Sequence, residues 1–196
     1  MNPKLLFAIL STVCAIGGGF IPYIVQILRK NTKPHAYTWL IWSITQGTAL
    51  AGLIFGKAGL GSLAWSIGEV FVVAIFFLTL KFGTKNITRK DTVVLFLALS
   101  AVVVWWQLHN PLLAVVMVTV IDLSGYFPSF RKTFQEPWSE SAITWAMFAL
   151  TSIFSILALS EYNWLTLPYL IMTSIANTVF VLIILIRKPL VPKPIT

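Results

Sequence analysis

Apolar residues in this chain gather into long continuous runs separated by short polar connections. Strict alternation of apolar and polar positions, the mark of a half-buried strand, is absent, which disfavours strands. Seven runs are long enough to cross a ~30 Å hydrocarbon core as helices. They are Leu5–Leu28, Ala36–Phe55, Leu60–Phe82, Thr92–Leu108, Pro111–Phe130, Ala142–Ser160 and Trp164–Ile186. The short connections make consecutive helices antiparallel neighbours. The predicted fold is an all-α integral membrane protein with seven transmembrane helices.

The runs also repeat. Gly19-Phe20-Ile21-Pro22 and Ala36-Tyr37-Thr38-Trp39 recur 106 residues later as Gly125-Tyr126-Phe127-Pro128 and Ala142-Ile143-Thr144-Trp145. No gap is needed, and Thr45/Thr151 and Leu53/Leu159 continue the match. The chain thus divides into a first three-helix repeat over 1–82, a linker helix over 83–109, and a second three-helix repeat with a short cytoplasmic tail over 110–196. Three helices end on the face opposite their start. The linker helix brings the chain back, so the two bundles are expected to be parallel rather than inverted.

Composition narrows the class further. The chain has 196 residues, of which 58% are hydrophobic and 10% charged. No soluble globular domain needs that much apolar sequence, and no polar stretch is long enough to form one. The net charge of +8 is not a nucleic-acid footprint. Of 14 Lys and Arg, only Lys4 and Lys57 lie at the N-terminus or in the connections after the second, fourth and sixth runs. The remaining 12 occupy the alternate connections and the tail. By the positive-inside rule the N-terminus is outside and the C-terminus cytoplasmic, in a plasma (inner) membrane. The bilayer is therefore an expected partner and nucleic acid is not. The basic cluster after the first run argues for a retained helix rather than a cleaved signal peptide. Cys14 is the single cysteine, so no intrachain disulfide is available.

Taken together, these features resemble the SWEET, PQ-loop and MtN3 superfamily. The resemblance covers the whole chain as topology: three helices, one linker, three helices, N-terminus outside. At residue level it rests on Pro22 and Pro128, late in the first helix of each triplet, on the glycines before them, on the basic connections after them, and on the Ala-x-Thr-Trp starts of the next helices. The family's Pro-Gln dipeptide is Pro22-Tyr23 and Pro128-Ser129 here, which leaves subfamily and solute open. The resemblance implies alternating-access movement of a small polar solute, a sugar or amino acid, with no cofactor. Two triplets in one chain can complete a pathway, so an oligomer is permitted but not required.

A few polar residues lie at membrane depth. Asp122 sits mid-run in Ile121-Asp122-Leu123-Ser124-Gly125, where a carboxylate needs a cavity or a partner. It resembles the acid before the second proline motif of proton-coupled relatives, so it is the candidate proton-coupling residue. A packing role through a neighbouring backbone break is the competing reading. Its counterpart is Ile16, which makes any coupling asymmetric. Glu69 is the other acid at this depth. Trp65, four residues earlier, shares its helix face, and an aromatic platform beside a carboxylate suits a sugar or a cationic solute. A structural hydrogen bond between helices is the alternative. No Lys or Arg lies at comparable depth to pair with either acid.

Asn177, with Thr173 one turn before it, matches the asparagine that the family uses on its seventh helix to hydrogen-bond substrate. Its repeat partner is Phe71 at the 106-residue offset, or Glu69 if one connection is two residues longer. Trp39, Trp42 and Gln46 share a face, with Trp145, Phe148 and Ser152 as counterparts. Trp39 and Trp145 read either as an interfacial aromatic belt or as cavity lining, whereas Trp42 and Gln46 lie deeper. The candidate solute-binding set is therefore Asn177, Glu69, Trp65, Thr173, Gln46 and Trp42. Pro22 and Pro128 with Gly19 and Gly125 form candidate hinges, with static kinks as the alternative. His35 and His109 fall at helix ends and read as solvated.

Other classes fit less well. A retinal protein needs a lysine deep in the last helix, and Trp164–Ile186 has none. A seven-helix receptor or cargo-binding protein of the same architecture stays open. The helices carry no metal or nucleophile motif, so an enzyme and a metal site are not expected.

Overall fold

The computed structural model describes residues 2–30, 34, 36–83, 89–135 and 137–192; within helices, some side chains, Pro128 among them, lie outside the described set. Among the described residues every regular element is helical. The α-helices are α1 Pro3–Val13, α2 Ile21–Leu28, α3 Ala36–Phe55, α4 Leu63–Phe82, α5 Arg89–Leu108, α6 Pro111–Gln135, α7 Ala142–Ala158 and α8 Leu167–Arg187. Among the described residues, four continuous stretches are long and apolar enough to cross a membrane: Pro3–Leu28, Thr38–Phe55, Gly59–Phe82 and Leu167–Leu190. The described apolar stretches of the other three helices are Leu95–Val104 in α5, Pro111–Ser124 in α6 and Ala142–Ala158 in α7. In α6 the apolar run stops where Arg131 and Lys132 enter the helix.

Local chemistry explains the helix ends. Asn2 accepts a hydrogen bond from the Lys4 N–H, and Pro3 opens α1, where a missing N–H costs nothing. Ser141 caps α7 by accepting from the Thr144 N–H. The last helix starts later than the apolar run predicts. Asn163 Oδ1 accepts from the Leu165 and Thr166 N–H groups and folds them into a turn, so α8 begins at Leu167 with Pro168 in its first turn.

The first span is one continuous rod with an unusual middle. Between α1 and α2, Cys14–Phe20 forms a π-helical segment, in which the Ile21 N–H reaches Ile16 O. Pro22 has no N–H to give and its ring crowds the carbonyl four residues back. Widening the ladder over Gly17-Gly18-Gly19 absorbs both problems without breaking the helix. In α6 the backbone runs α-helical through Pro128. The two proline elements are alike in sequence and unlike in backbone.

Helix neighbours follow a simple rule. α4 lies between α1 and α3, and α8 lies between α6 and α7. The two groups of three meet through α1 against α7 and α3 against α6. Exchanging α1, α3, α4 for α6, α7, α8 leaves this pattern unchanged. α5 packs outside, against α3 and α6.

Apolar side chains cover the outside of the bundle: Val70 is 68% exposed, Phe96 67% and Ile143 71%. Lipid tails solvate such residues as well as a protein core does, so contact between helices must come from close packing. Small residues supply it. A Cβ on Gly18 would strike Met147, one on Gly19 would strike Phe148, and one on Gly52 would strike Val115. Each contact joins one group of three helices to the other.

Candidate functional site

A cavity of about 730 Å3 lies between the two groups of helices and is lined by the π-helical segment, α2, α3, α4, α6, α7 and α8. From α3 come Thr38, Trp39, Trp42 and Gln46; from α7 come Thr144, Trp145, Phe148 and Ser152. Each of these four pairs is 106 residues apart. From α4 come Ala64, Gly68 and Val72; from α8 come Tyr169, Thr173 and Asn177, each pair 105 apart. The lining therefore makes Val72 the repeat counterpart of Asn177. The two sequence-level candidates, Phe71 and Glu69, do not line the cavity.

Matched positions carry different chemistry. By repeat position Phe20 corresponds to Tyr126, Ala64 to Tyr169, Gly68 to Thr173 and Val72 to Asn177, and all eight line the cavity. The second group supplies hydroxyl and amide groups, whereas the first supplies rings and open space. Gly68 leaves that space: a Cβ there would sit 3.2 Å from the Phe20 ring.

The deep wall is a hydrogen-bonded network. Asp122 on α6 is 5% exposed. Its Oδ1 accepts from the Thr45 hydroxyl on α3 at 2.5 Å, and its Oδ2 accepts from the Tyr169 hydroxyl on α8 at 2.8 Å. Tyr126, one turn beyond Asp122, donates to Asn177 Oδ1 at 3.2 Å. Ser152 and Thr173 hydroxyls are 3.0 Å apart. The Trp65 ring meets Tyr169 edge-on at 5.3 Å.

One end of the cavity is sealed. Ser11 donates to Thr151 O at 2.7 Å and lies 2.8 Å from the Ser155 hydroxyl, which also accepts from Trp65 Nε1 at 3.1 Å. Beyond this layer, Leu53, Ala58, Leu159 and Leu170 are fully buried together. The connections close over them: Ser160 N–H donates to Ala58 O, and Asn163 Nδ2 to Gly56 O. The opposite end reaches the connecting segments through Pro34, Trp138, Glu140 and Ser141.

The sequence candidates are thus partly brought together. Asn177, Thr173, Gln46, Trp42, Trp65 and Asp122 all line the cavity. Trp39 and Trp145 do so as well, Trp39 edge-on to Trp42 and Trp145 stacked on Phe180 at 3.8 Å, instead of forming a belt toward lipid. Glu69 is the exception. Gly68 and Val72 take the cavity-facing positions of α4, which turns Glu69 toward α3. Its Oε1 would lie 3.4 Å from a Cβ on Gly47, and its Oε2 is buried with no hydrogen-bond partner among the described residues. Among the hinge candidates, Gly19 and Pro22 flank the end of the π-segment. Gly125 and Pro128 are described in their backbone only, and His35 lies outside the described residues. His109 is exposed. Among the described residues no group of His, Cys, Asp and Glu is arranged to hold a metal.

Reading residues singly misses Thr45, Tyr126 and Tyr169. The signal that finds them is Asp122 itself: a carboxylate at depth without a base requires hydroxyl donors at the same depth.

No protein-family model, curated protein or solved structure matches the chain.

Proposed function

We propose that the protein is a membrane transporter that moves a small polar solute by alternating access between two three-helix units, 1–82 and 110–196, joined by the linker helix within 83–109. In this reading α5, α6 and α7 also span the bilayer, giving seven crossings with the N-terminus outside. The 17 residues of α7 rise roughly 26 Å, close to the hydrocarbon thickness. Twelve basic residues on one face and two on the other support that orientation. The open mouth is then cytoplasmic and the sealed end external.

The observation that carries the reading is the cavity between the two groups, closed at one end only and closed there by bonds between the groups. Such a cavity can open to the other side if the groups rock and the seal exchanges ends. The glycines where the π-helical segment meets α7 and the widened turn before Pro22 give the first span room to move. Asp122, held by one hydroxyl from each group, is the candidate proton-coupling residue. The resemblance to SWEET and PQ-loop proteins points to a sugar or an amino acid as solute classes to try first.

Reconstitution tests this. Purified protein in vesicles should move at least one polar solute that shifts its thermal stability, and Asn177→Ala should slow that movement at least about tenfold. A solute that binds but never crosses would favour a cargo-binding receptor of the same architecture.

A further inference from the structure

We propose that the solute is an organic cation without a carboxylate, a monoamine or quaternary ammonium, with its charged nitrogen seated against Asp122. This deepens the transporter reading and rests on it for the crossing step. The binding step stands on the cavity alone.

Four observations lead there. First, Asp122 lines the deep part of the cavity, and among the described lining residues none is Lys, Arg or His. Every basic residue in the sequence lies at the ends of the apolar runs, so none reaches this depth. Second, the hydroxyls of Thr45 and Tyr169 both point their hydrogens at the carboxylate. Each carboxylate oxygen keeps a further lone pair for an N–H donor. Third, Tyr126 gives its hydrogen to Asn177 Oδ1, which leaves the phenol oxygen as an acceptor. Fourth, Trp65, Tyr126 and Tyr169 line the same cavity as Asp122, with the Tyr169 hydroxyl on the carboxylate and Trp65 packing edge-on against the Tyr169 ring at 5.3 Å. Aromatic faces around a carboxylate are what a desolvated ammonium needs.

The same chemistry disfavours other solutes. A zwitterionic amino acid would bring its carboxylate into the deep site, where no base can pair with it and the Asp122 charge repels it. A sugar carries no charge to balance Asp122 and needs donors and acceptors in equal measure. At Asp122 itself the hydroxyl hydrogens of Thr45 and Tyr169 are already taken up by the carboxylate, which leaves acceptor positions there, while the remaining donors on the wall include the neutral amides of Asn177 and Gln46.

The test uses purified full-length protein in detergent and in vesicles, with three probes: phenethylamine, phenylalanine and glucose. Phenethylamine is phenylalanine without its carboxylate. The expected result is a thermal shift and saturable binding for phenethylamine, at least about tenfold tighter than for phenylalanine, and neither effect with glucose. Asp122→Asn should weaken amine binding at least about tenfold. If that variant does not fold, Trp65→Leu should weaken it about threefold to thirtyfold, and Trp65→Phe should restore most of it. Binding of phenylalanine or glucose in preference to phenethylamine overturns the proposal, as does binding of none of the three. Glucose flux without amine flux overturns the solute class and leaves the transporter reading standing. Amine binding that Asp122→Asn abolishes, without flux, does the reverse.

Discussion

Thr45 on α3 donates a 2.5 Å hydrogen bond to Asp122 on α6, joining the two groups of helices at the wall of the cavity. With Tyr169 on α8 completing the carboxylate's partners, one side chain ties three helices together. The arrangement satisfies a buried acid and places it on the wall of the cavity.

That bond should be measurable. Thr45→Val keeps the side-chain shape and removes the donor, and should cost about 1–3 kcal/mol because the acceptor is a buried acid. Thermal unfolding in detergent would show a lower midpoint. In a double-mutant cycle with Asp122→Asn, the combined loss should be smaller than the sum of the two single losses. Additive losses would mean that the bond carries no coupling.

The glycines of the first span should differ sharply from one another. Gly19→Val drives a branched side chain into Phe148, and should destabilise by about 1–3 kcal/mol or prevent folding. Gly17 has nothing within 4 Å of an added Cβ, so Gly17→Ala should leave the melting temperature unchanged or slightly higher. Equal effects at the two positions would contradict the close approach of α7.

Pro22→Ala restores an N–H in the first turn of α2 and allows the π-segment to tighten to α-helical geometry. Stability should rise and solute flux fall, since Phe20 would rotate out of its place on the cavity wall. A variant with unchanged flux would reduce the widened turn to a packing detail.

Glu69→Gln should leave solute affinity within about twofold, because the side chain faces Gly47 and not the cavity. Asn177→Ala, on the wall, should weaken binding at least about tenfold. Isothermal titration of both variants separates the two; a large loss in Glu69→Gln would return that residue to the site.

Much of this was legible in the chain. The apolar runs locate the helices, and the matched Trp39/Trp145, Trp42/Phe148 and Gln46/Ser152 pairs identify the two facing walls, since residues spaced by three and four share a helix face. The fate of Glu69 was not legible. Trp65 and Glu69 differ by only about 40° around the helix, and which of them meets the cavity depends on how α4 rotates against α3 and on the room left by Gly47. The π-segment was hidden for a related reason: Pro22 and Pro128 sit in similar sequence, yet the triple glycine gives only the first the freedom to widen. Tyr126 and Tyr169 read as ordinary apolar-run residues until the fold brought their hydroxyls to Asn177 and Asp122.

The most direct measurement is flux through a lockable seal. Ser11 and Ser155, whose hydroxyls lie 2.8 Å apart at the closed end, can be replaced by cysteines in a Cys14→Ser background. Vesicles carrying this protein would be tested for uptake of phenethylamine, phenylalanine and glucose under oxidising and reducing conditions. The expected result is uptake of at least one probe that stops on oxidation and returns on reduction, because the pathway cannot open outward while the seal is held. Uptake unaffected by a fully formed disulfide would contradict alternating access through this cavity.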